Sequence, residues 1–146
     1  MTFELLLGGE KMAVMNNRET FLKTEPEMDI TQFAKTELDL AYADESPNQI
    51  LDIFYPEDGE GPYPLVIVFH GGAFAAGHKR THYIKSMCLP VTQGYAVATV
   101  EYRLLQEAKW PAQLIDGKAA IRYLRANAEK LNLDLSLIHI SEPTRL

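Results

Sequence analysis

LVIVF at residues 65–69, followed directly by HGGAF at residues 70–74, is the stretch of this 146-residue sequence that decides the fold. Because successive side chains of a strand point to opposite faces, five consecutive apolar residues place apolar side chains on both faces, and both must be buried. Such a run is typical of a central strand in a parallel sheet, whose two faces are both covered. The glycines that follow let the backbone turn tightly without a Cβ in the way. The stretch therefore predicts an α/β sheet with a glycine turn at the carboxyl end of a central strand.

The flanking segments predict the rest of the sheet. The alternation in Thr36–Ala43 and the β-branched and aromatic residues of Gln49–Tyr55 predict two strands that pair as an antiparallel hairpin. Residues 81–93 have helical character, and Tyr95–Tyr102 reads as a second buried strand. A hairpin followed by alternating strands and helices predicts an α/β fold with an antiparallel edge.

The clearest predicted helix runs from Pro111 to Leu131, because proline fits the first turn of a helix and an apolar stripe follows it. The stripe consists of Leu114, Gly117, Ile121, Leu124, Ala128 and Leu131.

Composition excludes several classes of protein. The net charge of −6 without a basic cluster argues against nucleic acid and anionic membranes as partners. No apolar run approaches the roughly 20 residues of a membrane span. No positive charge precedes the apolar residues at positions 5–7, so no signal peptide is visible and a cytoplasmic location is expected, with secretion left open. The single cysteine, Cys88, reads as a buried hydrophobe rather than a nucleophile.

The N-terminal part, residues 1–35, is weakly patterned. Residues 8–11 (GGEK) can be encoded by a purine-rich stretch that resembles a bacterial ribosome-binding site, directly before the codon of Met12. Residues 1–11 are therefore predicted to be a translated leader, with the true start at Met12 or Met15. Residues 36–134 then form the predicted partial α/β domain.

The C-terminal segment 135–145 reads LSLIHISEPTR, which resembles a sequencing adapter translated in frame. Residues 135–146 are therefore predicted to be a non-native tail, and Ser136, His139 and Ser141 are excluded as site residues. If native sequence ends near Asp134, we expect the strand that flanks residues 65–69 to be missing and the sheet edge to be unpaired.

The His-Gly-Gly-Ala turn carries the chemical signal. Ester hydrolysis passes through a tetrahedral oxyanion, which backbone N–H groups stabilise. A His-Gly-Gly segment after a buried strand is the oxyanion loop of many lipases and esterases. Gly71, Gly72 and Ala73 are the predicted oxyanion residues, with His70 and Phe74 as supports of the loop.

Four stretches between Gln49 and Asp134 carry a family resemblance: QILDIFYP, GPYPLVIVFHGGAFAAGHK, GYAVATVEYRL and WPAQLIDGKAAIRYLRANAEKLNLD. With them, the sequence from Gln49 to Leu133 resembles the α/β-hydrolase esterases, especially the BD-FAE-like carbohydrate esterases and their hormone-sensitive-lipase relatives. The resemblance covers roughly the first third to half of such a domain. It places Arg103 and Asp116 near the carboxyl edge of the sheet, where they are expected to pair and to pin the helix to the sheet; the alternative is two solvated charges. If the pair lies at the surface, it contributes about 0–1 kcal/mol. In that family the next strand would end in Gly-x-Ser-x-Gly, and no such motif occurs in this sequence.

The resemblance implies a serine carboxylic-ester hydrolase acting on acetyl, feruloyl or small aliphatic esters, either free or linked to polysaccharide. No cofactor is implied, and the oligomeric state stays open. Because no nucleophile, acid or base is present, the chain itself is expected to be inactive. The alternatives are an arylformamidase-like amide hydrolase and a non-catalytic binding module on the same scaffold.

The remaining candidates for chemistry are judged weak. Ser46 lies in a predicted turn and Ser86 within a predicted helix, so neither fits a nucleophile elbow. His78 and His82 have the i, i+4 spacing of a zinc pair, but no glutamate lies between them and Lys79 and Arg80 adjoin. No metal site is predicted.

Overall fold

A computed structural model describes residues 5–7, 10–12 and 26–141. The strands are β1 (Leu5–Leu7), β2 (Glu10–Met12), β3 (Lys35–Ala41), β4 (Ile50–Tyr55), β5 (Tyr63–Phe69), β6 (Ala96–Val100) and β7 (Leu133–Ser141). The α-helices are α1 (Ile84–Met87) and α2 (Ala112–Ala126), and Ile30–Gln32 and Leu89–Gln93 form 3₁₀ helices. The predictions for residues 1–4, 8–9, 13–25 and 142–146 lie outside the described residues.

Strands β3 to β7 form one five-stranded sheet in the order β3-β4-β6-β5-β7. β3 and β4 pair antiparallel, as do β4 and β6, whereas β5 pairs parallel with β6 and with β7. This arrangement confirms the predicted α/β sheet with an antiparallel edge. Separately, β1 and β2 pair antiparallel as a two-stranded sheet.

The edge beside β5 is occupied by β7, so the expectation of an unpaired edge at β5 is wrong. Tyr63 and Pro64 pair with Leu133 and Asp134, and pairing resumes at Leu65 with Ile138. Residues 135–137 fall in the break between the two registers. The register therefore shifts at the point where the predicted tail begins, and the adapter origin of that tail stays a prediction.

The sheet is covered on both faces by separate apolar layers, because neighbouring residues of a strand point to opposite sides. One layer joins Leu51, Ile53, Leu65 and Ile67 to Leu124 of α2. The other joins Phe54, Val68 and Val97 to Ile84 of α1 and to Met28. Residues before the predicted domain start at position 36 therefore contribute to the second layer.

Helix α2 is shorter than predicted and is turned by about one residue from the predicted face. It ends at Ala126, and its buried residues are Gln113, Asp116, Ala120 and Leu124. Leu114, predicted in the apolar stripe, is 45% exposed. The reason lies in two polar contacts: Asp116 binds Arg103, and Gln113 donates hydrogen bonds to the carbonyl oxygens of Arg103 and Ala108. These contacts outweigh the apolar stripe in setting the buried face.

The connection between β5 and β6 is helical only in short pieces. Gly94 ends it with a φ of 88°, the left-handed conformation in which helices commonly end. Cys88 is buried, as predicted, and burial raises the pKa of its thiol to about 12. Among the described residues, no helix is both long and apolar enough to span a membrane.

Candidate active site

The turn after β5 is built from backbone conformations that few residues adopt. Gly72, Ala73 and Phe74 have φ values of 119°, 52° and 60°. A Cβ on Gly72 would lie 2.2 Å from the carbonyl oxygen of Ala76, so only glycine fits there. The carbonyl oxygen of Gly72 accepts hydrogen bonds from the amides of Ala75 (2.9 Å) and Ala76 (3.1 Å). The turn is therefore closed on itself.

The amides of Gly72 and Ala73 donate to no acceptor within the described part of the chain. They are consecutive, and they follow the carboxyl end of the central strand β5. Successive amides in such turns form concave sites for anions, because their N–H dipoles point the same way. This arrangement can bind a negatively charged oxygen. Gly71, the third predicted residue, contributes its carbonyl oxygen to contacts with the protein interior.

His70 lies beneath this turn and is fully buried. Its Nε2 is 3.0 Å from Oε1 of Glu101, and its ring stacks on that of Tyr102 with centroids 4.2 Å apart. The Tyr102 hydroxyl donates to the carbonyl oxygen of His70 at 2.6 Å. The ring is thus held on several sides, which fits a support of the loop rather than a solvent-facing base.

Glu101 is a site residue that the sequence analysis missed. It follows β6 and is 4% exposed. Besides the contact with His70, its carboxylate accepts hydrogen bonds from the amides of Lys79 (3.2 Å) and Tyr102 (3.3 Å). One carboxylate therefore binds both the start and the end of the segment 70–79. The sequence feature that could have indicated it is that Glu101 is the single charged residue in the apolar run 95–102.

A second buried carboxylate, Asp52 of β4, holds the same segment from the neighbouring strand. Nζ of Lys79 lies 2.7 Å from its Oδ1, and Nε of Arg80 lies 2.6 Å from its Oδ2. Both cations also contact Asp39, at 2.6 and 3.0 Å. Hydrogen bonding to Asp52 raises the pKa of Arg80, and hydrogen bonding to Lys79 lowers the pKa of Asp39.

Arg103 and Asp116 form a two-pronged ion pair, with Nη2–Oδ1 at 2.7 Å and Nε–Oδ2 at 3.0 Å. Asp116 is fully buried and also accepts a hydrogen bond from Gln49 at 2.8 Å, so the pair is not a surface pair. Burial alone would raise the pKa of Asp116. The hydrogen bonds from Arg103 and Gln49 outweigh burial and leave that pKa below its ordinary value.

An open apolar cleft of about 220 Å³ adjoins the turn. The Phe74 ring lies 5.8 Å from that of Trp110 and 6.1 Å from that of Tyr102. Phe69, Leu114, Gly117 and Ile121 complete most of its lining. Phe74 and Trp110 are 37% and 58% exposed, so aromatic faces are open to a ligand.

The other candidates take part in local structure. Ser46 donates to Glu107, and Ser86 donates to the carbonyl oxygen of Tyr83 at 2.8 Å. Nδ1 of His78 accepts from the amide of Arg80 at 3.2 Å, so that nitrogen is engaged. No group of three or more metal-binding side chains is found where the structure describes the chain.

Comparison with known proteins gives three consistent results. The profile of the BD-FAE family matches residues 51–142. Carboxylesterase NlhH of Mycobacterium tuberculosis is 30% identical over 120 residues, 82% of this chain and 37% of its own length. Among solved structures, "Truncated form of carbohydrate esterase from gut microbiota" is similar with a TM-score of 0.70 and 32% identity, over 80% of this chain and 42% of its own.

A Pyrobaculum calidifontis esterase is also similar, with a TM-score of 0.67 and 28% identity, over 87% of this chain and 42% of its own. These neighbours identify the sheet as part of an α/β-hydrolase fold, as expected from the sequence. The chain spans less than half the length of each of these relatives.

Proposed function

Because the chain belongs to the BD-FAE family, we propose that it supplies the oxyanion-binding loop of a serine carboxylic-ester hydrolase. The strongest support is that the backbone N–H groups of Gly72 and Ala73, just after β5, donate to no acceptor among the described residues. When a serine attacks an ester carbonyl, the oxygen becomes negatively charged, and each well-placed donor contributes about 2.7–4 kcal/mol.

The 146-residue chain itself is proposed to be inactive. The sequence contains no Gly-x-Ser-x-Gly, and the hydroxyls of Ser46 and Ser86 donate hydrogen bonds to Glu107 and to the carbonyl oxygen of Tyr83. Without a nucleophile, an oxyanion loop has no oxyanion to bind. Purified chain should therefore hydrolyse p-nitrophenyl acetate no faster than buffer does.

The proposed substrates are acetyl, feruloyl or small aliphatic esters, as small molecules or linked to polysaccharide. The aromatic cleft beside the turn supports an aryl group there, because stacked aromatic pairs contribute about 0.5–1.5 kcal/mol beyond their buried area. The similarity to a carbohydrate esterase supports a sugar-linked ester.

The test is to sequence the source gene past the codon of Asp134 and to assay the protein it encodes. A strand followed by Gly-x-Ser-x-Gly, together with hydrolysis of p-nitrophenyl acetate, would support the proposal. A source gene that encodes residues 135–146 as they stand, and a protein without esterase activity, would overturn it.

Two alternatives make different predictions in the same assay. An arylformamidase-like enzyme would cleave an aryl formamide faster than the matched aryl ester. A non-catalytic binding module, which the absence of Gly-x-Ser-x-Gly favours, would bind esters without cleaving either. Comparing an ester, a formamide and a binding measurement therefore separates the three.

A further inference from the structure

Both ring nitrogens of His70 face oxygen acceptors. Nε2 lies 3.0 Å from Oε1 of Glu101, and Nδ1 lies 2.9 Å from the carbonyl oxygen of Gly71. The Tyr102 hydroxyl is 3.4 Å from Nδ1, but its proton is donated to the carbonyl oxygen of His70. A neutral imidazole has one N–H, so beside an ionised Glu101 one nitrogen lone pair would face an oxygen lone pair in either tautomer.

We infer that His70 is doubly protonated and forms a buried imidazolium–carboxylate pair with Glu101. Each ring N–H then has an acceptor. The carboxylate is in turn held in its charged form by the amides of Lys79 and Tyr102. A buried ion pair requires such additional hydrogen bonds to offset the loss of hydration of its charges.

The groups around the ring are consistent with this charge. Glu101 is the carboxylate in contact with the ring, and the nearby hydroxyls are those of Tyr102 and, through the oxygen of Gly71, Tyr83. The ammonium group of Lys79 is directed to Asp39 and Asp52 instead. The contacts of the ring therefore combine one anion with neutral oxygens.

The charged ring also orients the proposed oxyanion donor. The carbonyl oxygen of Gly71 is held by Nδ1 of His70 at 2.9 Å and by the Tyr83 hydroxyl at 3.3 Å. In a trans peptide the C=O and the next N–H point in opposite directions. Fixing the oxygen of Gly71 against the ring therefore turns the amide of Gly72 away from it, so His70 and Glu101 are positioning residues. Their catalytic consequence rests on the proposed function, whereas the charge of the ring does not.

The test is ¹⁵N NMR of the chain with its histidines labelled. The sequence has four histidines, at positions 70, 78, 82 and 139. Loss of one set of signals in His70→Gln assigns the ring of interest. At neutral pH we expect both ring nitrogens of His70 to show the chemical shifts of protonated nitrogens. A spectrum with one protonated and one bare nitrogen would overturn the inference.

Glu101→Gln tests the role of the carboxylate, because it removes the charge and keeps a side chain of the same shape. We expect the His70 ring to become neutral in this variant, with one bare ring nitrogen. Glu107→Gln is the matched control, since Glu107 is a carboxylate that contacts Ser46 and Asn48 and not His70. The control should leave the His70 signals unchanged. A neutral ring in the control as well would contradict the assignment of Glu101 as the partner.

The spectrum of the unsubstituted chain decides the charge even if Glu101→Gln fails to fold. It also requires no catalysis. Failure of the proposed ester hydrolysis would therefore leave the imidazolium signals in place, and a neutral ring would leave the ester hydrolysis assay unchanged.

Discussion

The Tyr102 hydroxyl donates to the carbonyl oxygen of His70 at 2.6 Å while the two rings stack with only 5° between their planes. One residue thus supports both the backbone and the side chain of the residue that starts the turn. Because each contact is made by a different part of the tyrosine, one substitution can separate them.

Tyr102→Phe keeps the stacked ring and removes the hydroxyl. It leaves the buried carbonyl oxygen of His70 without this donor, which should lower the free energy of unfolding by about 1–3 kcal/mol. Urea titration measures the change. Tyr95→Phe is the control, because no hydrogen bond of the Tyr95 hydroxyl is found among the described residues, and it should change stability by less than about 0.5 kcal/mol. Equal effects of the two variants would contradict the role assigned to the hydroxyl.

Gly77 and Gly94 share a left-handed backbone but differ in their surroundings. Their φ values are 92° and 88°, yet a Cβ on Gly77 would lie 2.5 Å from the oxygen of Gly71 and 2.6 Å from Nδ1 of His70, whereas one on Gly94 meets nothing within 4 Å. Gly94→Ala therefore measures backbone strain alone, about 1–2 kcal/mol.

Gly77→Ala adds the clash to the same strain. We expect it to be about 1–3 kcal/mol more destabilising than Gly94→Ala in the same urea titration. Similar losses for the two alanine variants would show that the segment 70–77 relaxes to make room, contrary to the closed turn described above.

The Arg103–Asp116 pair should make stability depend on pH in the acid range. The pKa of Asp116 in the folded protein is below its ordinary value of 3.8. The contribution of the charged carboxylate is therefore complete well above pH 3.8 and is lost as the pH falls from that value through the lower folded-state pKa.

Asp116→Asn should cost about 1.5–3 kcal/mol at neutral pH, the range for hydrogen bonds to charged groups. The difference from the unsubstituted chain should shrink on acidification, as measured by thermal unfolding across pH. Asp44→Asn, at an exposed position, serves as the control and should leave the pH dependence unchanged. A gap between Asp116→Asn and the unsubstituted chain that stays constant with pH would argue against the ionised pair as its source.

The aromatic cleft can be tested without catalysis, because Trp110 is the only tryptophan of the sequence. Methyl ferulate should quench its fluorescence in a saturable manner. Phe74→Ala should weaken that binding about 2- to 12-fold, which is the equivalent of one aromatic contact of about 0.5–1.5 kcal/mol. Leu89→Ala, at a 61% exposed leucine that does not line the cleft, should leave it unchanged. Quenching that rises linearly with concentration in every variant would exclude a specific site here.

Local sequence patterns were sufficient to predict strands β3 to β6 and the glycine turn, but not β1, β2 or β7. Both faces of the apolar run 65–69 are buried only in the interior of a sheet that is covered on both sides. The two glycines in residues 70–72 favour a tight turn after it. The face of α2 could not be obtained in this way, because it depends on Arg103 reaching Asp116 and on Gln113 reaching backbone oxygens. These are contacts between elements, and helical periodicity carries no information about them.

The polar interior of the site shows the same limit. Asp52 lies in the apolar strand β4 and Glu101 directly follows the apolar strand β6. From the sequence alone, a single carboxylate in such a position is expected to be a surface residue. Their partners, Lys79 and His70, come from a different segment of the chain. The sequence contains each residue type, but only the closure of 70–79 over β4 and β6 brings the charges together.

The segment 70–79 is attached at its start to Glu101, at its end to Asp52, and in its middle to itself. It cannot open locally without exposing carboxylates from the interior of the sheet. The conformational entropy of the turn is therefore lost when the protein folds, not when a ligand arrives. When a ligand binds the amides of Gly72 and Ala73, the entropy lost is therefore that of the ligand and not that of the turn. This favours tight binding of a small anionic group through very few contacts.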